Sequence, residues 1–269
     1  MPERIQHNVI LQPFTNEAAL IDWLTAFEGT PMSSSPVLQQ IVDTLGSPEN
    51  YCCLIQSILA NDEWISDIAY RSVMKGQGFL KLVVTTTSAM TLRLHVYVPC
   101  ATFDSGYHNH RWDFASKVLY GTLTQHFATA TSQEDDSGNA IQSSVFLFSR
   151  DGKDVSWEEA GMAFVTRTKT LTVYQGSSYY LDHERIHMIP NPEHVMHLDY
   201  VGAVTMFIHG PQVKLHGSTF WPPGTKPPED GELQTLEVEH VKQIFCHLMN
   251  LSESGMQLIK FVESCYYEH

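Results

Sequence analysis

Two histidines one residue apart, His108 and His110, stand in the run Gly106-Tyr107-His108-Asn109-His110-Arg111-Trp112-Asp113. In an extended chain, residues i and i+2 point to the same side, so the two imidazoles face one way. Neutral imidazole suits Zn, Fe, Cu and Ni. A bare pair of this kind is more often a solvated loop, and a third ligand is what turns it into a metal site. His187 supplies the candidate, set between Ile186 and Met188-Ile189 further down the chain. His183, in the charged run Asp182-His183-Glu184-Arg185, competes for the same role.

These residues need a rigid frame, and the sequence predicts one. Apolar residues recur at three- and four-residue spacing through residues 1–75, which predicts four helices. The first is capped near Thr15-Asn16-Glu17, and Pro36 opens the second. The third and fourth cover about 50–59 and 64–73. From Gly76 the pattern changes to period two. Strands are expected over 79–87, 91–98, 117–127, 140–148, 162–166, 170–174, 178–181, 186–189, 194–200 and 203–209. Many short strands without alternating helices indicate a β-sandwich or small barrel. Within 91–98, Arg93, His95 and Tyr97 share one face, which lines a polar barrel interior or meets solvent. A Pro-rich connection follows over 220–232, and then two C-terminal helices. The domain reading is therefore 1–75 helical, 76–213 barrel and 214–269 connection plus helices.

Charge removes whole classes of function. The chain carries 30 Asp plus Glu against 16 Lys plus Arg, a net −14. Such a surface repels nucleic acid and anionic membrane. The five Cys are too few and too irregular for a disulfide framework or a Cys-rich zinc site. No run reaches the length of a membrane span. Residues Met1–Asn8 show no basic region followed by an apolar core, so a cytoplasmic location is the expectation. No GxGxxG, P-loop or GxSxG is present, and Asp113 lies three residues after His110 rather than two, unlike an HxD metal motif.

The stretch from His108 to Leu123 resembles the first motif of the cupin superfamily, an HxH followed by an apolar strand ending near a Gly, here Gly121. Tyr179, His187 and Asn191 resemble the second motif of the cysteine dioxygenase-like group. Tyr70-Arg71 resembles that group's carboxylate-binding segment, and residues 204–211 resemble its last barrel strand. The resemblance covers roughly 66–213, in order. It implies a mainly β, cupin-type double-stranded β-helix (jelly-roll) barrel with N-terminal helices and a C-terminal helical extension. Three departures accompany it. Thr205, Phe207 and His209 replace the group's Ser, His and Tyr. Ala115 or Ser116 stands near the place of a cross-linking Cys. Phe114 occupies the position of the wider superfamily's Glu ligand, so three His without a carboxylate is the expected ligand set.

The resemblance further implies a mononuclear non-haem iron(II) oxygenase, a dioxygenase-like enzyme acting with O₂ on a small carboxylate-bearing amino or thiol acid. His108, His110 and His187 are the expected metal ligands. Arg71 is the expected carboxylate clamp, with Arg93, His95 and Trp112 as further substrate-binding residues. His209 and Tyr97 join Arg71 as candidate catalytic residues, with His209 titrating between about pH 6 and 8. Imidazole sites also accept Zn, Mn or Ni. A cupin isomerase, lyase or hydrolase, or a non-catalytic small-molecule binder, is therefore the alternative.

Overall fold

Capping and apolar periodicity place the helices close to where the sequence predicts them. The computed structural model describes residues 12–28, 35–75, 79–98, 106–134, 139–151, 154–190, 202–227 and 236–267. Four helices come first: α1 (Glu17–Thr25), α2 (Ser35–Leu45), α3 (Pro48–Leu59) and α4 (Asp62–Arg71). Asn16 caps α1 by accepting from the Ala19 N–H, and Asn61 caps α4 by accepting from the Trp64 N–H. Pro48 sits in the first turn of α3, where its missing N–H costs nothing.

Eleven strands follow among the described residues: β1 (Val73–Lys75), β2 (Phe79–Thr86), β3 (Thr91–Tyr97), β4 (Tyr107–His108), β5 (Trp112–Thr131), β6 (Ile141–Asp151), β7 (Asp154–Tyr174), β8 (Ser178–Leu181), β9 (Ile186–Met188), β10 (Ala203–Gln212) and β11 (Gly217–Trp221). The expected strands at 162–166 and 170–174 are parts of the single strand β7. The strand expected at 194–200 and the motif residue Asn191 lie outside the described residues. β11 takes the first residues of the stretch read as a Pro-rich connection, and 228–235 lie outside the described residues.

All pairings are antiparallel. One sheet runs β1-β2-β3-β10-β5-β8. The other closes on itself, β5-β7-β6-β11-β4-β9 and back to β5. β5 serves both sheets by bending at Gly121. That residue has φ 74°, and any Cβ there would run into the Gly202 carbonyl. Closure removes open edges, the arrangement expected of the cupin-type double-stranded β-helix.

Period two sorts the side chains of the first sheet. Leu80, Leu82, Val84, Leu92, Leu94, Val96, Ala115, Val204, Met206 and Ile208 face outward and share one core with the four helices and with α5 (Val238–Met249) and α6 (Leu251–Tyr267). The alternate residues face into the barrel. Tyr97, Val118, Leu123, Val173 and Ala203 fill one part, and Phe114, Phe127, Leu181 and Phe207 another. Arg93 and His95 belong to this inner face, which settles their stripe as barrel lining rather than solvated surface. Among the described residues no helix is long and apolar enough to cross a membrane.

Candidate metal centre

Three short connections bring the histidines together. His108 ends β4 and lies directly opposite His187 on β9, a pairing that puts Cβ atoms about 5 Å apart. His110 is not on a strand, contrary to the extended HxH reading; it follows β4 in the loop before β5. Asn109 turns it there. The Asn109 N–H donates to the Ser218 carbonyl at 3.0 Å, and Asn109 Oδ1 accepts from the Ser218 N–H at 2.7 Å. The Asn109 side chain is buried, so the loop is pinned to β11 at the residue between the two ligands.

The ligating nitrogens of His108, His110 and His187 all lie within 4.8 Å of one another. His110 Nε2 and His187 Nε2 are 2.9 Å apart. Two nitrogens each about 2.1 Å from one metal ion at a right angle are about 3.0 Å apart, so this contact has the length of a coordination edge. Two of the rings have their tautomers set from behind. His108 Nδ1 donates to the Gly106 carbonyl at 2.9 Å, and His187 Nδ1 donates to Gln125 Oε1 at 3.0 Å. Each Nε2 is thereby left as a lone pair aimed at the shared point. Burial lowers the pKa of all three, and neighbouring His and Arg93 add to this at His110. They are held neutral, the form that binds a metal. The donor set fits one divalent ion, and three His without a carboxylate is what the sequence led us to expect.

The walls are aromatic. Phe114, at the position where the resemblance would put a Glu, sits edge-on to His110 at 4.8 Å. Trp112 stacks between His110 and His209, with centroid distances of 4.5 and 4.3 Å. The Arg93 guanidinium lies 5.6 Å from both the Trp112 and Phe207 rings. Trp112, Arg93 and His95 are thus all on the inner wall.

Three expectations change. Arg71 does not join this wall. It pairs with Glu17 at 2.8 Å and donates to the Val84 carbonyl at 3.2 Å. Val84 is the bulged residue of the β2–β3 ladder; the bulge releases its carbonyl, and Trp64 Nε1 and Arg71 take it. Arg71 therefore staples helices to sheet on the helical side. His209 has both nitrogens engaged: Arg93 donates to Nε2 at 3.0 Å, and Nδ1 donates to the Gly210 carbonyl at 2.8 Å. Burial and Arg93 hold its pKa well below the ordinary value, against the near-neutral titration expected for it. Tyr97 lies among Phe79 and His95, its phenol 3.4 Å from His95 Nδ1, and is not in the histidine cluster. His183 and Asp113 also stay out of the ligand set. Asp113 Oδ1 accepts from His183 Nδ1 at 2.6 Å and from the His183 N–H at 2.8 Å, and Oδ2 accepts from the Tyr180 hydroxyl at 2.9 Å. On β5, Asp113 and Ala115 point to one face and Phe114 to the other, so the carboxylate is turned away from the ligands.

Gln125 and Asn109 are the functional residues that sequence reasoning missed. Gln125 carried a usable signal. It alternates with Leu123 and Phe127, so period two buries an amide that must find a partner.

No protein-family model matches the chain, and no curated protein matches it. Solved structures similar to it include a cupin superfamily protein from Desulfitobacterium hafniense, at 8% identity and TM-score 0.27, covering 50% of this chain and 78% of that one. A hydroquinone 1,2-dioxygenase in complex with Cd²⁺ and 4-hydroxybenzonitrile gives 13% and 0.29, covering 56% and 72%. A structure of DMSP lyases gives 11% and 0.28, covering 49% of this chain and 47% of that one, so this chain spans less than half of the lyase's length. At such scores the fold assignment stands on the closed antiparallel strand order itself.

Proposed function

We propose that the chain is a mononuclear non-haem iron(II) oxygenase, a dioxygenase-like enzyme of the kind its sequence resembles in the cysteine dioxygenase-like group. Its substrate is a small carboxylate-bearing amino or thiol acid. The observation that carries this reading is the convergence of three neutral imidazoles, two with their tautomers fixed by Gly106 and Gln125. Iron(II) held by His108, His110 and His187 would supply O₂ activation. Phe114, Phe127, Phe207 and Trp112 keep bulk water from the centre. Arg93, and not Arg71, brings positive charge to the inner wall, where it draws an acid and helps hold His209 and His110 neutral. His209 orients Arg93 and backs Trp112 rather than passing protons.

The test is elemental analysis of the protein as purified, followed by oxygen-electrode traces on iron(II)-reconstituted protein with a panel of small thiol and amino acids. Iron in the protein and O₂ uptake without added 2-oxoglutarate is the expected result. Zinc alone, with no uptake after iron reconstitution, would overturn it and favour an isomerase, lyase, hydrolase or binding role for the same three histidines.

A further inference from the structure

The inner face of the β3-β10-β5-β8 sheet carries a row of polar side chains that the three histidines do not use. His95 lies opposite Thr205 across β3 and β10, with Lys81 opposite His95 on its other side. Ser116 is one step further on β5, opposite Phe207, and Tyr179 on β8 lies opposite Ser116. Gln125, already bonded to His187, stands at the metal end of the row. His95 is 6% exposed, Ser116 1%, and Thr205 and Gln125 0%. Yet His95 Nε2, Thr205 Oγ1, Ser116 Oγ and Gln125 Nε2 have no protein hydrogen-bond partner among the described residues. Ser116 and Gln125 lie near enough to the Tyr179 phenol to favour its ionised form, against a burial that pushes it up to about 12. Neither reaches the phenol with the geometry of a full hydrogen bond.

Buried polar groups of a folded protein are nearly always satisfied, so His95 Nε2 and Thr205 Oγ1, on residues opposite each other across β3 and β10, call for a ligand. The polarity of the row says which chemistry. The Tyr97 hydroxyl lies 3.4 Å from His95 Nδ1, a contact that permits the tautomer with its proton on Nε2. Gln125 Oε1 is occupied by His187, so its amide NH₂, beside the Tyr179 phenol, is a donor. The hydroxyls of Ser116 and Thr205 rotate to suit. Lys81 and Arg93 set a positive potential at the His95 end, which favours a ligand that accepts there.

We infer that a short acid lies along this row, its carboxylate accepting from His95 Nε2 and Thr205 Oγ1 and its other end beside Gln125 beneath the three imidazoles. The inference rests on the small-acid reading above and specifies it. The carboxylate is seated by neutral donors in a positive field, not by an arginine fork, so the site selects a charged acceptor over a neutral amide of equal shape.

The experiment uses metal-depleted full-length protein, with butyrate and butyramide as probes and melting temperature as the readout. Butyrate raises the melting temperature of the wild type, and butyramide at the same concentration does not. Thr205→Val melts higher than wild type without ligand, because an unsatisfied hydroxyl is gone, and binds butyrate about tenfold more weakly or worse. His95→Phe keeps the ring packing on Phe207 and also loses the butyrate response. The inference is overturned if butyramide matches butyrate, or if Thr205→Val responds to butyrate as the wild type does. It is also overturned if Thr205→Val melts lower without ligand, which would mean the hydroxyl is satisfied within the fold. No oxygen chemistry enters these measurements, so the acid seat stands or falls separately from the iron oxygenase reading.

Discussion

Acid should unfold this protein through its buried imidazoles. Burial, joined by the nearby cations and other histidines, holds His95, His110, His187 and His209 well below the ordinary histidine value. Unfolded, the same side chains titrate near 6.5. The unfolded state therefore binds more protons, and stability is fully present above about pH 6.5 and lost as pH falls. Each histidine that stays neutral in the fold gives up about 1 kcal/mol between pH 6.5 and 5.5. His95 and His187 are 6% and 4% exposed and contribute in full. His110 and His209 keep a part-exposed edge and contribute less. The loss is about 3 kcal/mol over that one unit, a large share of the roughly 5–15 kcal/mol that holds a domain together. Urea unfolding of metal-depleted protein at pH 7.0, 6.5 and 5.5 measures it, and metal depletion keeps ligand protonation from being masked by metal release. The slope at pH 5.5 should report about three protons taken up on unfolding, and His95→Phe should remove about one. A stability flat over this range, or a slope unchanged in the variant, would refute the claim that these rings are buried as neutral groups.

Gln125→Leu removes the acceptor that fixes the His187 tautomer while nearly keeping volume, and should weaken metal binding about 10- to 100-fold in a chelator competition, with the far-ultraviolet spectrum unchanged. Asp113→Asn should leave metal stoichiometry intact, because Asp113 serves Tyr180 and His183 outside the centre. Losing its charged acceptors costs about 2 kcal/mol, a melting temperature lower by roughly 4–8 °C in calorimetry.

The sequence alone determined the helices and the change to a β region near Gly76, and it named His108, His110 and His187 as candidate ligands, with His183 competing for the third place. These are local properties: caps at Asn16 and Asn61, period-two alternation, and ligand types that name their own chemistry. It also determined that Arg93 and His95 share a face, since alternation along one strand requires no partner. Which face that was could not be read. The stripe Arg93-His95-Tyr97 looks the same whether the barrel or solvent lies beyond it, and only closure of the second sheet and the helices covering the outer side of the first decided it.

Arg71 shows the other limit. A Tyr-Arg at the end of the last helix resembles a clamp, but the guanidinium goes where an acceptor is freed. That acceptor is the Val84 carbonyl, released by a bulge that no local pattern announces. His209 likewise looked like a free titrating ring, until folding set Arg93 against one nitrogen and Trp112 against its face. Gln125 became a partner of His187 because β5 bends at Gly121 and carries its second half into the sheet that holds β9. Residue types and spacing are written along the chain and can be read there. The partner of a long side chain is set by which strands meet after bends and bulges, so contacts between residues far apart in sequence are decided only by the tertiary structure.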